Sequence, residues 1–225
     1  MSDTRNLVTE LVPARTPDSR RLMVVLHGLG DSMDGYRWMP SEMRLPWLNY
    51  LLVNAPDEYF GGYSWYDIYG ESDSGVLRSR RWLTGLLDGL PARGFAPEQT
   101  VMFGFSQGCL VALETGLRYP QRLAGLVGIS GYVQDVTALV DELSPVARQV
   151  KVLMTHGTQD PLLPIAPVRR QVEVLKQAGL DLTWRELDKE HTIAGQEELQ
   201  LIRQFVSACF DGSRDAPAPN SGSPA

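Results

Sequence analysis

The run Thr100-Val101-Met102-Phe103-Gly104-Phe105-Ser106-Gln107-Gly108-Cys109-Leu110 decides how the chain folds. Its first residues form a short apolar stretch of the kind that makes a buried strand. Gln107 to Tyr119 has helical spacing and is stopped before Pro120, because the residue preceding a proline is driven out of the helical region. Between the two lies G-x-S-x-G at positions 104–108. The bare pattern is weak evidence, but a strand on one side and a helix on the other is the placement that a nucleophile elbow requires. A sharp turn there forces the serine into an unusual backbone conformation, and glycines two residues either side relieve the crowding. Ser106 Oγ would then stand above the sheet edge, at the positive end of the following helix. The alternative is an ordinary helix N-cap serine.

Outward from this run, the pattern repeats. Arg21–His27, Tyr50–Asn54, Leu123–Ser130 and Lys151–His156 also read as buried parallel strands, and the more alternating Asp181–Leu187 as a further one. Val168, Val172 and Leu175 share one face of a helix that Gly179 ends; Leu199, Ile202, Phe205, Val206 and Cys209 do the same for a last helix. Strands alternating with helices predict an α/β fold, a mostly parallel central sheet with helices on both faces. Ligands bind such sheets at the carboxyl ends of the strands, so the strand-to-helix turns are where chemistry is expected.

Three histidines are available as a general base. His27 and His156 each end a strand and precede glycine, whereas His191 lies in the polar loop Asp188-Lys189-Glu190-His191-Thr192 between the last strand and the last helix. Where an elbow serine is used, the chain order is nucleophile, acid, histidine, and only His191 leaves room for an acid after Ser106. For that acid the reading takes Asp160, just beyond a strand end in HGTQDP, with Asp135 after the preceding strand as its rival. Glu190 adjoins His191, and neighbouring side chains usually diverge. An oxyanion needs backbone N–H donors. One is expected from Gln107, the residue after the nucleophile; the other is assigned to Leu29 in the glycine-flanked turn His27-Gly28-Leu29-Gly30-Asp31. A plain connecting turn would fit those residues almost as well on its own. His27 is expected to hold this loop rather than to react.

Composition narrows the rest. The chain has 225 residues, 43% hydrophobic and 21% charged, with a net charge of −6. One domain over 1–210 is expected, followed by a Pro-, Gly-, Ser- and Ala-rich tail over 211–225 that cannot bury a core. The densest basic group, Arg78, Arg80 and Arg81, sits beside Glu71 and Asp73, which disfavours nucleic acid as a partner. No apolar run is long enough to span a membrane, and the polar start lacks a signal-peptide core. Two distant cysteines, with no CxxC or zinc-like spacing, argue against a disulfide framework. The expectation is a soluble, cytoplasmic protein.

Taken together, LHGLGD (26–31), SWYD (64–67), GFSQG (104–108), HGTQDPLLP (156–164) and the late His191 resemble the phospholipase/carboxylesterase family in identity, order and approximate spacing. Its best-known members are acyl-protein thioesterases and small bacterial carboxylesterases. The resemblance runs nearly to Phe210 and implies a compact α/β-hydrolase fold without a large cap. It implies a triad of Ser106, Asp160 and His191, oxyanion donors at Leu29 and Gln107, and no metal or cofactor. SWYD places Trp65 near the acyl site, and Leu162 and Leu163, directly after Asp160, are further candidates for that pocket. Three features depart from the family: Cys109 replaces a customary glycine, Thr192 follows His191 where an acidic residue is common, and Asp57 to Ser74 is unusually dense in Tyr and Gly.

The expected activity is therefore hydrolysis of carboxylic esters or thioesters through an acyl-Ser106 intermediate. An acyltransferase in which another nucleophile replaces water is a second reading, and a binding protein that keeps the fold without catalysis is a third. A chain this short leaves little for a lid, and no exposed apolar stretch is apparent, so short to medium acyl chains, butyrate to octanoate, are expected over long-chain lipids. A small-molecule ester is the expected partner.

Overall fold

A computed structural model describes residues 7–70 and 72–211. The predicted tail from 212 onward lies outside the described residues. Among the described residues, nine strands and six α-helices follow in chain order: β1 (Thr9–Val12), β2 (Arg21–Leu26), α1 (Met39–Met43), β3 (Leu48–Val53), β4 (Asp57–Tyr59), β5 (Gly62–Ser64), α2 (Ser72–Gly89), β6 (Thr100–Phe105), α3 (Gln107–Gly116), β7 (Gly125–Ile129), α4 (Val136–Asp141), β8 (Lys151–Gly157), α5 (Ile165–Gln177), β9 (Asp181–Leu187) and α6 (Gly195–Phe210).

Seven strands form one sheet in the order β1-β3-β2-β6-β7-β8-β9, and every pairing is parallel except that of β1 with β3. The predicted parallel strands all occur, within a few residues of their expected limits. Strand residues alternate between two apolar layers, as a sheet covered on both faces requires. Leu22, Val24, Met102, Val152 and Met154 pack with Leu83, Leu110, Leu113, Val172 and Leu175 from α2, α3 and α5. Met23, Val25, Val101, Phe103 and Leu153 pack on the other side with Met39, Met43, Leu199, Ile202 and Val206 from α1 and α6. Gly179 closes α5 as expected: its φ of +87° is left-handed, and its N–H returns to the Lys176 carbonyl at 2.9 Å.

Two features position the chemistry. First, the chain moves from β2 to β3 on one side and later places β6 on the other. The strand order therefore reverses between β2 and β6, where open α/β sheets form a crevice. Leu26 pairs with Gly104, which sets the turn after β2 directly beside the turn after β6. Second, β4 and β5 form a hairpin inside the Tyr- and Gly-rich segment, joined to the turn after β2 by a bridge between Asp31 and Tyr63.

Candidate active site

Ser106 occupies the turn between β6 and α3 with φ 53° and ψ −116°, a conformation non-glycine residues adopt only when held there. The hold is visible. Ser106 N–H donates to the Ile129 carbonyl of β7 at 2.9 Å. A Cβ added at Gly104 would lie 2.6 Å from Cys109 N, and one at Gly108 would lie 2.6 Å from the His27 carbonyl oxygen. Neither obstacle is a side chain that can swing away, so both glycines of the motif are needed for backbone to meet backbone. Cys109, on the helix behind the turn, finds its room at two more glycines: a Cβ at Gly128 or Gly131 would meet its sulfur.

The structure brings the three predicted polar side chains into one line. Ser106 Oγ–H donates to His191 Nε2 at 2.9 Å, and His191 Nδ1–H donates to Asp160 Oδ2 at 2.7 Å. The other carboxylate oxygen of Asp160 accepts the N–H groups of Leu162, at 3.0 Å, and Leu163, at 2.8 Å. Burial alone would raise the Asp160 carboxyl. The Leu163 N–H, His191 and the Leu162 N–H outweigh it and hold the group below the usual carboxylate range. An ionised carboxylate of this kind fixes the imidazole tautomer, leaving the lone pair of Nε2 toward Ser106. Asp135 is elsewhere: it is the N-cap of α4, and its Oδ1 accepts from Thr137 N and Ala138 N at 2.9 and 3.1 Å. Glu190 is exposed.

The turn after β2 closes against the elbow. A Cβ on Gly28 would lie 3.0 Å from the Phe105 ring and 3.4 Å from Ser106 Cβ, so this turn runs close against the elbow. Gly30 N–H donates to the Tyr63 carbonyl and Tyr63 N–H to the Asp31 carbonyl, both at 2.9 Å, so the β4–β5 hairpin staples the loop. His27 anchors it from within: Nε2 accepts Ala55 N–H at 3.0 Å, which leaves Nδ1–H to donate to the Gly28 carbonyl at 2.6 Å. Among the described residues no acceptor takes the backbone N–H of Leu29. Gln107 opens α3, where the helix itself offers its N–H no acceptor.

The remaining candidates separate. Leu162 is 69% exposed beside Asp160, and Leu163 is half-buried next to it. Trp65 lies under the turn after β2. It has no exposed surface, and its indole N–H donates to the His27 carbonyl at 2.8 Å. Its ring therefore braces the loop from below. The SWYD segment is held to the elbow by the Gln107 side chain, whose Oε1 accepts Trp65 N–H at 2.9 Å and whose Nε2 donates to the Tyr66 carbonyl at 2.8 Å.

Two further parts escaped sequence reading. His156 Nε2–H donates to the Leu163 carbonyl at 2.8 Å and lies 3.5 Å from Asp160 Oδ2, pinning the loop that carries Asp160. Lys189 and Glu198 form a buried ion pair behind His191. A carboxylate four residues before Ile202, on the apolar stripe of the last helix, is the signal that would have found the second.

A family model described as phospholipase/carboxylesterase matches residues 9–210. Acyl-protein thioesterase 1 of Schizosaccharomyces pombe is 36% identical over 155 residues, 63% of this chain and 69% of the relative. The protein of the same name in Yarrowia lipolytica is 30% identical over 214 residues, 87% of this chain and 94% of the relative. The crystal structure of esterase PE8 superposes with a TM-score of 0.79 at 28% identity, covering 91% of this chain and all of that one. With the match spanning nearly every described element from β1 to α6, the chain belongs to the phospholipase/carboxylesterase family.

Proposed function

We propose that this protein is a serine hydrolase that cleaves carboxylic esters or thioesters through an acyl-enzyme on Ser106. The observation that carries the reading is the continuous hydrogen-bonded line from Ser106 Oγ through His191 to the buried Asp160. Ser106 Oγ attacks the acyl carbon while His191 Nε2 takes its proton, and Asp160 stabilises the imidazolium that forms. The developing oxyanion receives the N–H groups of Leu29 and Gln107. Collapse expels the alcohol or thiol, protonated by His191. Water, deprotonated by the same nitrogen, then attacks the acyl-Ser106 ester and frees the acid. No step calls for a metal or cofactor.

The reading takes 1–210 as one catalytic domain. The two cysteines lie in opposite apolar layers, and burial pushes both thiols up to about 12, which suits unreactive thiols in a reducing cytoplasm. Among the described residues no helix is long and apolar enough to cross a membrane.

For the acyl group we propose short to medium length. Exposed Leu162 beside Asp160 and Phe60, 95% exposed at the hairpin turn, favour a second reading in which longer chains are also accepted. A series of p-nitrophenyl esters and acyl thioesters from acetyl to palmitoyl separates the two. Each methylene that is buried is worth about 0.8 kcal/mol, roughly fourfold in kcat/KM, until the pocket ends. A maximum between butyrate and octanoate supports the first reading; a series still rising at palmitoyl establishes the second. No hydrolysis of any member would defeat both.

A further inference from the structure

Behind His191 lies a pair of charges that the chemistry above does not use. Lys189 is 6% exposed and Glu198 is wholly buried, an environment that lysine and glutamate rarely occupy without a specific reason. Lys189 Nζ donates to both Glu198 oxygens, at 2.7 and 2.9 Å, and to the Thr192 carbonyl at 2.8 Å, so all three of its protons are used. Glu198 is saturated as well: it also accepts the Thr155 hydroxyl of β8 and the Ala194 N–H at 2.6 Å. The Lys189 carbonyl in turn accepts Gln159 N–H at 3.1 Å, one residue before Asp160.

These bonds join four pieces of chain. The ion pair links the residue after His191, the start of α6 and the end of β8, and the Lys189 backbone adds the segment leading to Asp160. Replacing such a pair by apolar groups is often tolerated, so stability alone is a weak reason to bury it. A hydrogen-bonded tie that fixes a loop to rigid elements is a better one, because catalytic side chains need placement within about half an ångström.

We propose that Lys189 and Glu198 are positioning residues that fix the His191 loop, and with it the alignment of His191 between Ser106 and Asp160. The proposal rests on the catalytic reading of Ser106, Asp160 and His191. Neither residue touches substrate; both act through the loop. Their loss should reduce the chance that Nε2 meets Ser106 correctly, without altering the surface that binds the acyl group. Turnover should therefore fall while KM stays.

The test replaces both charges at once, Lys189→Met with Glu198→Leu, so that no lone charge stays buried. Active sites are titrated with a fluorophosphonate probe run to completion, and kcat is expressed per titrated site. The expected result is a fall in kcat of about a hundredfold, the scale of a one-ångström misplacement, with KM within about threefold of wild type. A kcat per site within about threefold of wild type overturns the proposal, as does a rise in KM that accounts for the whole loss. Should the double variant fail to fold, Lys189→Gln with Glu198→Gln keeps both positions polar, leaves no lone charge and weakens the tie; it should show the same split in milder form, and an unchanged kcat there also overturns the proposal. Ser106→Ala, measured alongside, keeps the questions apart. An active Ser106→Ala protein defeats the catalytic reading, whereas an inert one beside a fully active double variant defeats the positioning role alone.

Discussion

Substituting Gly108 by alanine tests how the elbow is built. The new Cβ would lie 2.6 Å from the His27 carbonyl oxygen and 2.7 Å from the Leu26 carbonyl carbon, all of it backbone of the neighbouring β2 strand and its turn. Non-bonded heavy atoms settle near about 3.5 Å, so the elbow and β2 must part by close to an ångström. β2 is hydrogen-bonded on both sides, to β3 and β6, and cannot yield cheaply. The cost should reach the upper part of the overpacking range, about 3 kcal/mol. The displacement should also move Ser106 away from the Leu29 N–H, and misplacement on that scale lowers kcat by about a hundredfold. Gly85 is the control: it is exposed inside α2, and an added Cβ there meets nothing within 4 Å. Gly85→Ala should stabilise by about 0.5–1 kcal/mol with activity unchanged. Urea denaturation and kcat per titrated site measure both effects. A Gly108→Ala protein within about 1 kcal/mol of wild type and with full turnover would refute this account of the motif.

Other perturbations have equally definite outcomes. Asp160→Asn should lower kcat by about 10⁴, whereas Asp135→Asn, which alters only a helix cap, should leave it nearly unchanged; reversed results in steady-state assays would make Asp135 the acid. Burial pulls both His27 and His156 below the ordinary histidine value of 6.5, against the opposing bonds to the Gly28 and Leu163 carbonyls. Below that pH the unfolded chain therefore binds protons that the native chain refuses, and stability falls with acidity, by up to about 1.4 kcal/mol per pH unit for each histidine. In urea titrations between pH 7.5 and 5.5, His156→Gln should show a slope shallower by about 1 kcal/mol per pH unit; an identical slope would count against a neutral buried His156. EDTA should leave turnover unchanged, since the proposed steps use no metal, and activity lost to EDTA and restored by zinc would contradict them.

Much of the fold was legible because a parallel sheet buried on both faces writes itself as short apolar runs. Arg21–Leu26 and Thr100–Phe105 are nearly solid hydrophobic segments for that reason. β1 was not read: it is a four-residue edge strand with one exposed and three half-buried residues, too short and too weakly patterned to stand out. The β4–β5 hairpin has three residues per strand, too few to show an alternating pattern. Ser106, Asp160 and His191 were legible because each sits just past a strand end, where chain order limits the choices. The bracing role of Trp65 was not, because nothing in its sequence neighbourhood shows that its indole bonds to the His27 carbonyl. The Lys189–Glu198 tie was hidden for another reason: nine residues separate the partners, and only the place of Glu198 on the apolar stripe of α6 marks a buried charge, with nothing around Lys189 to name its partner.

The central claim, that Ser106 is the nucleophile activated by His191, is tested most directly by mapping a fluorophosphonate adduct by mass spectrometry. The account predicts one adduct per chain, on Ser106 alone, with none in Ser106→Ala and a strongly slowed reaction in His191→Ala, while both variants keep the wild-type circular dichroism. An adduct on any other residue, or ester hydrolysis by Ser106→Ala at the wild-type rate, would contradict it.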